Sequence, residues 1–234
     1  MDVQLMVDSI LPILGGLANT FQLIVISLLI GFCLAVGLAL ARHSRQPWLS
    51  LPARLYIFAI RGTPLLVQLF LIYYGLGQFD WLRGSFLWTF LREPFWCAIL
   101  ALTVNTTAYG AEIIRGGLQA VSWGERESAR SFGMSGVLLF RRIVFPIAIR
   151  QALPAYGNEV ILMVKATSLA STITVMEMTG VANTIISDTF KPLEIFLVAG
   201  VFYLSLNFVL SRVVKLIEYR MNGHLRPPPE EVPS

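Results

Sequence analysis

The sequence predicts an all-α, polytopic membrane protein with five transmembrane helices, its N-terminus outside and its C-terminus in the cytoplasm. Three observations carry that prediction. Hydrophobic residues make up 56% of the 234 positions and charged residues only 14%; the mean hydropathy is +0.69; and Lys and Arg crowd onto alternate connections between apolar stretches. Soluble domains carry roughly a quarter charged residues, so a chain this apolar needs lipid or partner subunits over most of its surface. Its length suits a single domain. The net charge of +4 is not gathered into a basic run, which argues against nucleic acid as a partner. Cys33 and Cys97 lie inside apolar segments and read as free, small hydrophobes rather than a disulfide framework or a zinc site.

The elements follow in order. Residues 1–19 carry Asp2 and Asp8, offer no basic region for a cleavable signal peptide, and read as an extracytoplasmic interfacial segment. A crossing helix needs about 20 apolar residues, at about 1.5 Å each over about 30 Å of hydrocarbon. Residues 20–41 are uncharged and give span one. The uncharged stretches between Arg61 and Asp80 and between Glu93 and Glu112 give spans two and three. Residues 153–175, interrupted only by Glu159 and Lys165, give span four, and 195–211 give span five. These lie within a transmembrane domain at 20–214, followed by a cytoplasmic tail at 215–234 whose proline-rich end, 225–234, is expected to be disordered.

Orientation comes from the basic residues. Arg42, Arg45 and Arg54, then Arg115, Arg126, Arg130, Arg141, Arg142 and Arg150, then Arg212, Lys215, Arg220 and Arg226 fall on one side; Arg83, Arg92 and Lys191 fall on the other. The richer side is predicted to be cytoplasmic. Trp81, Trp88 and Trp96 gather at the opposite boundary, where amphipathic rings favour the headgroup level. No internal repeat is evident, so an inverted-repeat carrier gains no support.

The longest connection on the basic side, 116–152, predicts a helical hairpin. Ser122 and Glu125 have capping-box spacing, so a helix should start at Trp123 and end at Gly133, a residue that accepts the left-handed conformation. A second helix should start at Ser135, with Val137, Leu138, Phe140, Ile143 and Val144 as an apolar stripe, until Pro146 kinks the path. A short charged helix on this side suits insertion into a groove of a peripheral partner, or else is a solvated loop helix.

Within this hairpin, Glu127-Ser128-Ala129, three residues, Gly133, nine residues, Ile143, one residue and Phe145-Pro146 resemble the signature of permease subunits of binding-protein-dependent ABC importers. The family writes it Glu-Ala-Ala, three residues, Gly, nine residues, Ile, one residue, Leu-Pro; Ser128 and Phe145 depart from it. Arg61-Gly62-Thr63-Pro64-Leu65-Leu66-Val67-Gln68 is similar to the span-two entry of the polar amino-acid branch. Ala108-Tyr109-Gly110-Ala111-Glu112-Ile113-Ile114-Arg115-Gly116, Leu153-Pro154-Ala155-Tyr156-Gly157-Asn158-Glu159 and Lys165-Ala166-Thr167-Ser168-Leu169 are similar to its spans three and four. The runs 101–106 and 158–163 look most like the M-type subunits of histidine/lysine/arginine/ornithine and octopine/nopaline importers.

The resemblance implies a multi-pass protein of the bacterial inner membrane that pairs with a related Q-type permease subunit. It also implies a cytoplasmic dimer of ATP-binding subunits, an extracytoplasmic solute-binding protein and a polar, basic amino acid or opine as substrate. It implies ATPase coupling through Glu127, Ser128, Ala129, Gly133, Ile143 and Pro146. The chain has no Gly-rich phosphate loop ending in Gly-Lys-Ser/Thr, and no cofactor or metal is called for.

Charges at membrane depth are costly and are paired or face a water-filled path. Arg61, Glu112, Arg115, Glu159 and Lys165 qualify. Either Glu112 pairs with Arg61 or Arg115 and Glu159 with Lys165, or some of them line a path in which Glu159 meets a cationic side chain and Lys165 a carboxylate. Thr63-Pro64 marks a kink, as a hinge or as packing, and the hydroxyls of Thr167, Ser168, Ser171 and Thr172 should bond within or between helices. Two enzyme classes fail. Gly133-Met134-Ser135-Gly136 matches an intramembrane serine protease pattern, but the only histidines, His43 and His224, lie in a loop and the tail. No His-Glu-x-x-His is present for a zinc protease. A secondary transporter or channel without an ATPase is the rival class.

Overall fold

The computed structural model describes residues 1–221, and every regular element among them is helical. His224, Arg226 and the segment 225–234 lie outside the described residues.

Helix α1 (Val3–Gly15) starts where the Asp2 carboxylate accepts the Leu5 amide hydrogen at 3.1 Å. Gly16 joins it to α2 (Leu17–His43), which covers the predicted first span and stays uncharged until Arg42. The second span is not one helix. Helix α3 (Pro47–Gly62) stops at an extended Thr63, and α4 (Leu65–Gly75) restarts after Pro64 with a bend of 105°. Proline lacks the amide hydrogen that would continue the ladder, and it forces its predecessor out of the helical region.

Short helices α5 (Asp80–Arg83) and α6 (Trp88–Leu91) lead into α7 (Pro94–Ala120), the predicted third span. The hairpin follows as α8 (Trp123–Ser131) and α9 (Gly136–Leu139), and a π-turn at 140–144 runs into α10 (Phe145–Thr167). Beyond a 3₁₀ turn at 168–173, α11 (Met178–Thr189) leaves at 45°. Helix α12 (Pro192–Met221) carries the fifth apolar stretch and continues to the last described residue. Three segments, Val3–His43, α7 and α12, are long and apolar enough to cross as they stand, and the number reaches five if each bent pair makes one crossing.

Helix α7 is the pillar against which α2, α3, α4 and α10 pack. Between apolar helices in lipid the hydrophobic effect gives little, and small residues that permit close approach take its place. The buried face of α7 is accordingly dominated by small residues, Ala98, Ala101, Thr103, Thr106, Thr107, Ala108, Gly110, Ala111 and Gly117, with Cys97, Ile99 and Leu102 toward its N-terminal end. A Cβ on Gly31 of α2 would stand 2.3 Å from the Thr106 methyl, and one on Gly117 would stand 2.5 Å from the Ala148 carbonyl oxygen of α10. Polar links reinforce the contacts: Ser27 donates to the Ile99 carbonyl at 3.4 Å, and Tyr56 of α3 to the Val104 carbonyl at 2.8 Å.

A second cluster joins α1, α11 and the start of α12 through Ile13, Met178, Ala182, Ile195, Val198 and Ala199. Its far end is tied by Lys191, whose ammonium donates to Asp2 at 2.7 Å. That bond, and then the Leu5 amide, hold the Asp2 carboxyl below its ordinary 3.8, and Asp2 holds the Lys191 ammonium above its ordinary 10.5.

Two predictions follow from these contacts. Gly117→Ala should destabilise the protein by about 1–3 kcal/mol through overpacking against α10. Its neighbour Gly116, whose Cβ would meet nothing, should gain up to about 1 kcal/mol as alanine; thermal unfolding in detergent reads both. The Asp2–Lys191 tie should be complete above the ordinary carboxylate value and be lost as pH falls through the depressed Asp2 value, or rises through the raised Lys191 value. A nitroxide on a cysteine at position 3 should therefore become mobile only at those extremes, but already at neutral pH in Lys191→Met.

Candidate functional site

A pocket of about 210 Å³ opens between α4, α7 and α10, lined by Leu65, Leu102, Asn105, Tyr109, Glu159, Leu162, Met163 and Ala166. Its one carboxylate is Glu159, only 7% exposed, which accepts the Thr106 hydroxyl of α7 at 2.9 Å. The Arg61 guanidinium lies 5.1 Å from the centre of the Tyr109 ring, so a cation stands on the aromatic wall of the same pocket. A carboxyl group and an amide thus line a mostly apolar cleft, with a cation against its aromatic wall.

Glu112 is the hub of the ion pairs. Arg115 donates to it through Nε and Nη2, the latter at 2.8 Å; Arg61 approaches to 3.8 Å; and Arg42, unforeseen from the sequence, also pairs with it. This single carboxylate holds α2, α3 and α7 together. The second pair expected beside it, Glu159 with Lys165, is absent among the described ion pairs: Lys165 is exposed while Glu159 is buried. Six residues are one and two-thirds helical turns, so the two side chains leave α10 about 120° apart.

The α3–α4 break is closed by side chains. Thr63 donates its hydroxyl to the Ala59 carbonyl at 2.8 Å, and Gln68 Nε2 donates to the Ile60 carbonyl at 2.7 Å and to Thr63 Oγ1 at 2.8 Å. Asn105 of α7 in turn donates to Gln68 Oε1 at 2.9 Å. Pro64 caps α4, next to the pocket residue Leu65. At the other break, Thr167, Ser168, Ser171 and Thr172 each donate to the carbonyl three residues back, at 2.6–2.7 Å. They satisfy the helix's own carbonyls instead of reaching into the pocket.

In the hairpin the capping box forms: Ser122 donates its amide and hydroxyl to Glu125 and accepts the Glu125 amide. Glu127 and Ser128 face outward, and Ala129 is buried with Val121, Leu139, Val144 and Ala148. Gly133 adopts φ +78°, and Ile143 and Pro146 are half-buried. The expected stripe is corrected. Val137 is 81% exposed, and Leu138 and Phe140 also face outward, because the wider π-turn breaks the 3.6-residue spacing. Pro146 sits in the first turn of α10, directly after the π-turn, and the helical path runs on through it.

Residues 28–223 match the family of binding-protein-dependent transport system inner membrane components. The chain belongs to this family. Over 214 residues the permease is 56% identical to the octopine transport system permease protein of Rhizobium meliloti, covering 92% of this chain and 87% of that protein. It is 41% identical over 213 residues to the histidine/lysine/arginine/ornithine transport system permease protein of Escherichia coli K12, covering 91% and 90%. Its structure is similar to a crystal structure of an amino acid ABC transporter with histidines, at TM-score 0.84 and 36% identity, covering 94% of this chain and 99% of that one. The permease is thus a multi-pass inner-membrane component of a binding-protein-dependent transport system, a transport subunit rather than an enzyme.

Four residues that tie the permease's elements together were not among the site residues expected from the sequence. Gln68 and Asn105 are uncharged, so a scan for ionisable residues passes over them, although amides in an apolar run are a signal in themselves. Arg42 reads as a boundary charge. Glu177 lies just past the span expected at 153–175, yet it is 0% exposed, caps α11 through the Gly180 amide at 2.9 Å and accepts the Tyr203 hydroxyl of α12.

Proposed function

We propose that this permease carries a basic amino acid or opine inward through the α4–α7–α10 pocket, driven by a cytoplasmic ATP-binding subunit that engages α8. The observation that carries the reading is Glu159: a buried carboxylate in a small, mostly apolar cleft, with Asn105 beside it and the Arg61 cation on the Tyr109 wall. Glu159 suits a cationic group of the solute and Arg61 its carboxylate, two charges of opposite sign for a zwitterion. The systems of the two relatives are named for solutes with basic nitrogen atoms, which supports the same charge preference.

The partners are a second, related permease subunit of Q type, a dimer of ATP-binding subunits and an extracytoplasmic solute-binding protein. The chain crosses five times with its N-terminus outside, a reading supported by the concentration of arginines at the hairpin end. Contact with the ATPase falls to the outward-facing Glu127 and Ser128, with Ala129, Gly133, Ile143 and Pro146 shaping the hairpin behind them; the exposed Trp123, Phe132, Val137 and Phe140 supply apolar area at the same end. A carrier or channel without an ATPase finds no support among the relatives.

Glu159→Gln should raise the KM for a basic solute at least about tenfold, the scale of a lost charge-assisted hydrogen bond, and leave a neutral amino acid less affected; uptake into vesicles holding the assembled importer reads it, and unchanged KM values would overturn the assignment. Lys165 is exposed on α10 and is assigned to the path where two permease subunits meet. Lys165→Met should reduce uptake, and normal transport by an assembled variant would remove it from the path.

Gly133 tests the coupling. At φ +78° with open space around it, valine strains the backbone, whereas asparagine accepts this conformation. Gly133→Val should uncouple ATP hydrolysis from uptake, and Gly133→Asn should retain most of it. Equal uptake by both variants would leave α8 a simple loop helix.

A further inference from the structure

A second, larger groove lies between α2 and α3, beside Thr107 of α7. It measures about 510 Å³ and is lined by Cys33, Leu34, Gly37, Leu38, Ala41, Tyr56 and Thr107. Cys33, which lies inside an apolar segment of the sequence, is exposed here. Gly37 opens the floor: a Cβ there would meet no atom within 4 Å. The volume falls within the range of small-molecule clefts, about 300–1,000 Å³, but its walls are almost wholly apolar and belong to helices at membrane depth.

Charge says what covers it. Leu34, Leu38 and Arg42 follow at spacings of four along α2, so the groove wall ends on a guanidinium, and side chains on a helix tilt back toward its N-terminus, here toward the groove. Arg42 shares the single carboxylate of Glu112 with Arg61 and Arg115, and all three guanidiniums remain partly exposed. One negative charge among three positive leaves the cluster in surplus by two. The exposed Trp48 at the start of α3 sets the headgroup level at this end. An apolar trough that ends in unbalanced arginines at headgroup height matches one amphiphile, an anionic phospholipid, because Arg pairs with phosphate through parallel hydrogen bonds.

We propose that the α2–α3 groove binds one anionic phospholipid, an acyl chain lying along Leu34, Gly37, Leu38 and Tyr56 and the phosphate on Arg42. Such a lipid offsets one of the two surplus positive charges of the Glu112 cluster and packs α3 against α2. The proposal does not depend on the substrate or direction of transport.

Native mass spectrometry of the full-length chain tests it, with phosphatidylglycerol and phosphatidylcholine of identical acyl chains in equal amounts. The wild type should retain one phosphatidylglycerol in preference. Gly37→Phe, which fills the trough with no neighbour to displace, and Arg42→Gln should each lower that retention about fivefold, the scale of one basic residue at an anionic surface, and Arg42→Lys should restore part of it. Circular dichroism establishes that each variant is folded; if Arg42→Gln is not, Gly37→Phe alone decides. Equal retention of the two lipids, a preference that survives Gly37→Phe, or a dimer that excludes lipid from the groove would overturn the proposal.

Discussion

The structure depends on one constraint: in a bilayer, polar backbone groups and charges must find partners within the protein, while apolar surface alone supplies little attraction between helices. Helix α7 meets both demands. Its alanines, threonines and glycines bring α2 and α10 close enough for backbone-to-side-chain contact. Its Val104 carbonyl, Asn105, Thr106 and Glu112 then take up polar groups from α3, α4, α10 and α2. The pocket opens between the two helices that α7 ties in this way, α4 through Asn105 and α10 through Thr106.

Both helix breaks follow the same logic. At the first, Gln68 answers the carbonyl of Ile60 and the side chain of Thr63 while itself held by Asn105. At the second, Glu177 accepts an amide from α11 and a hydroxyl from α12, so a buried carboxylate is supplied with donors from two elements. Each break is stabilised in one geometry by charge-assisted or amide bonds that water would otherwise provide. These two points fix the directions of α4 and α11 relative to the pillar.

How much of this was legible in the sequence depends on range. The Ser122–Glu125 box and the Gly133 terminus are settled by neighbours a few residues apart and could be read directly. The apolar lengths of α2, α7 and α12 were legible because each is one uninterrupted helix. The α3–α4 break had a visible signal in Thr63-Pro64, but its 105° angle comes from docking on α7. The α10–α11 break has no proline or glycine at its turning point, where Thr174 takes φ +66°, and so left no trace. Within the site, Glu112–Arg115 is local and was foreseen, whereas Arg42 reaches Glu112 from seventy positions away and could be placed only by the packing of α2 on α7.

The short α4 has a consequence for how the protein is made. Eleven residues span about 16 Å, roughly half the hydrocarbon thickness. The amide that holds Gln68 belongs to Asn105, which leaves the ribosome 37 residues later. During synthesis, therefore, the α3–α4 pair leaves the ribosome before the partner that stabilises it. Its final position must be reached after α7 arrives, which makes the joining of these two segments a late event in biogenesis despite their early place in the chain.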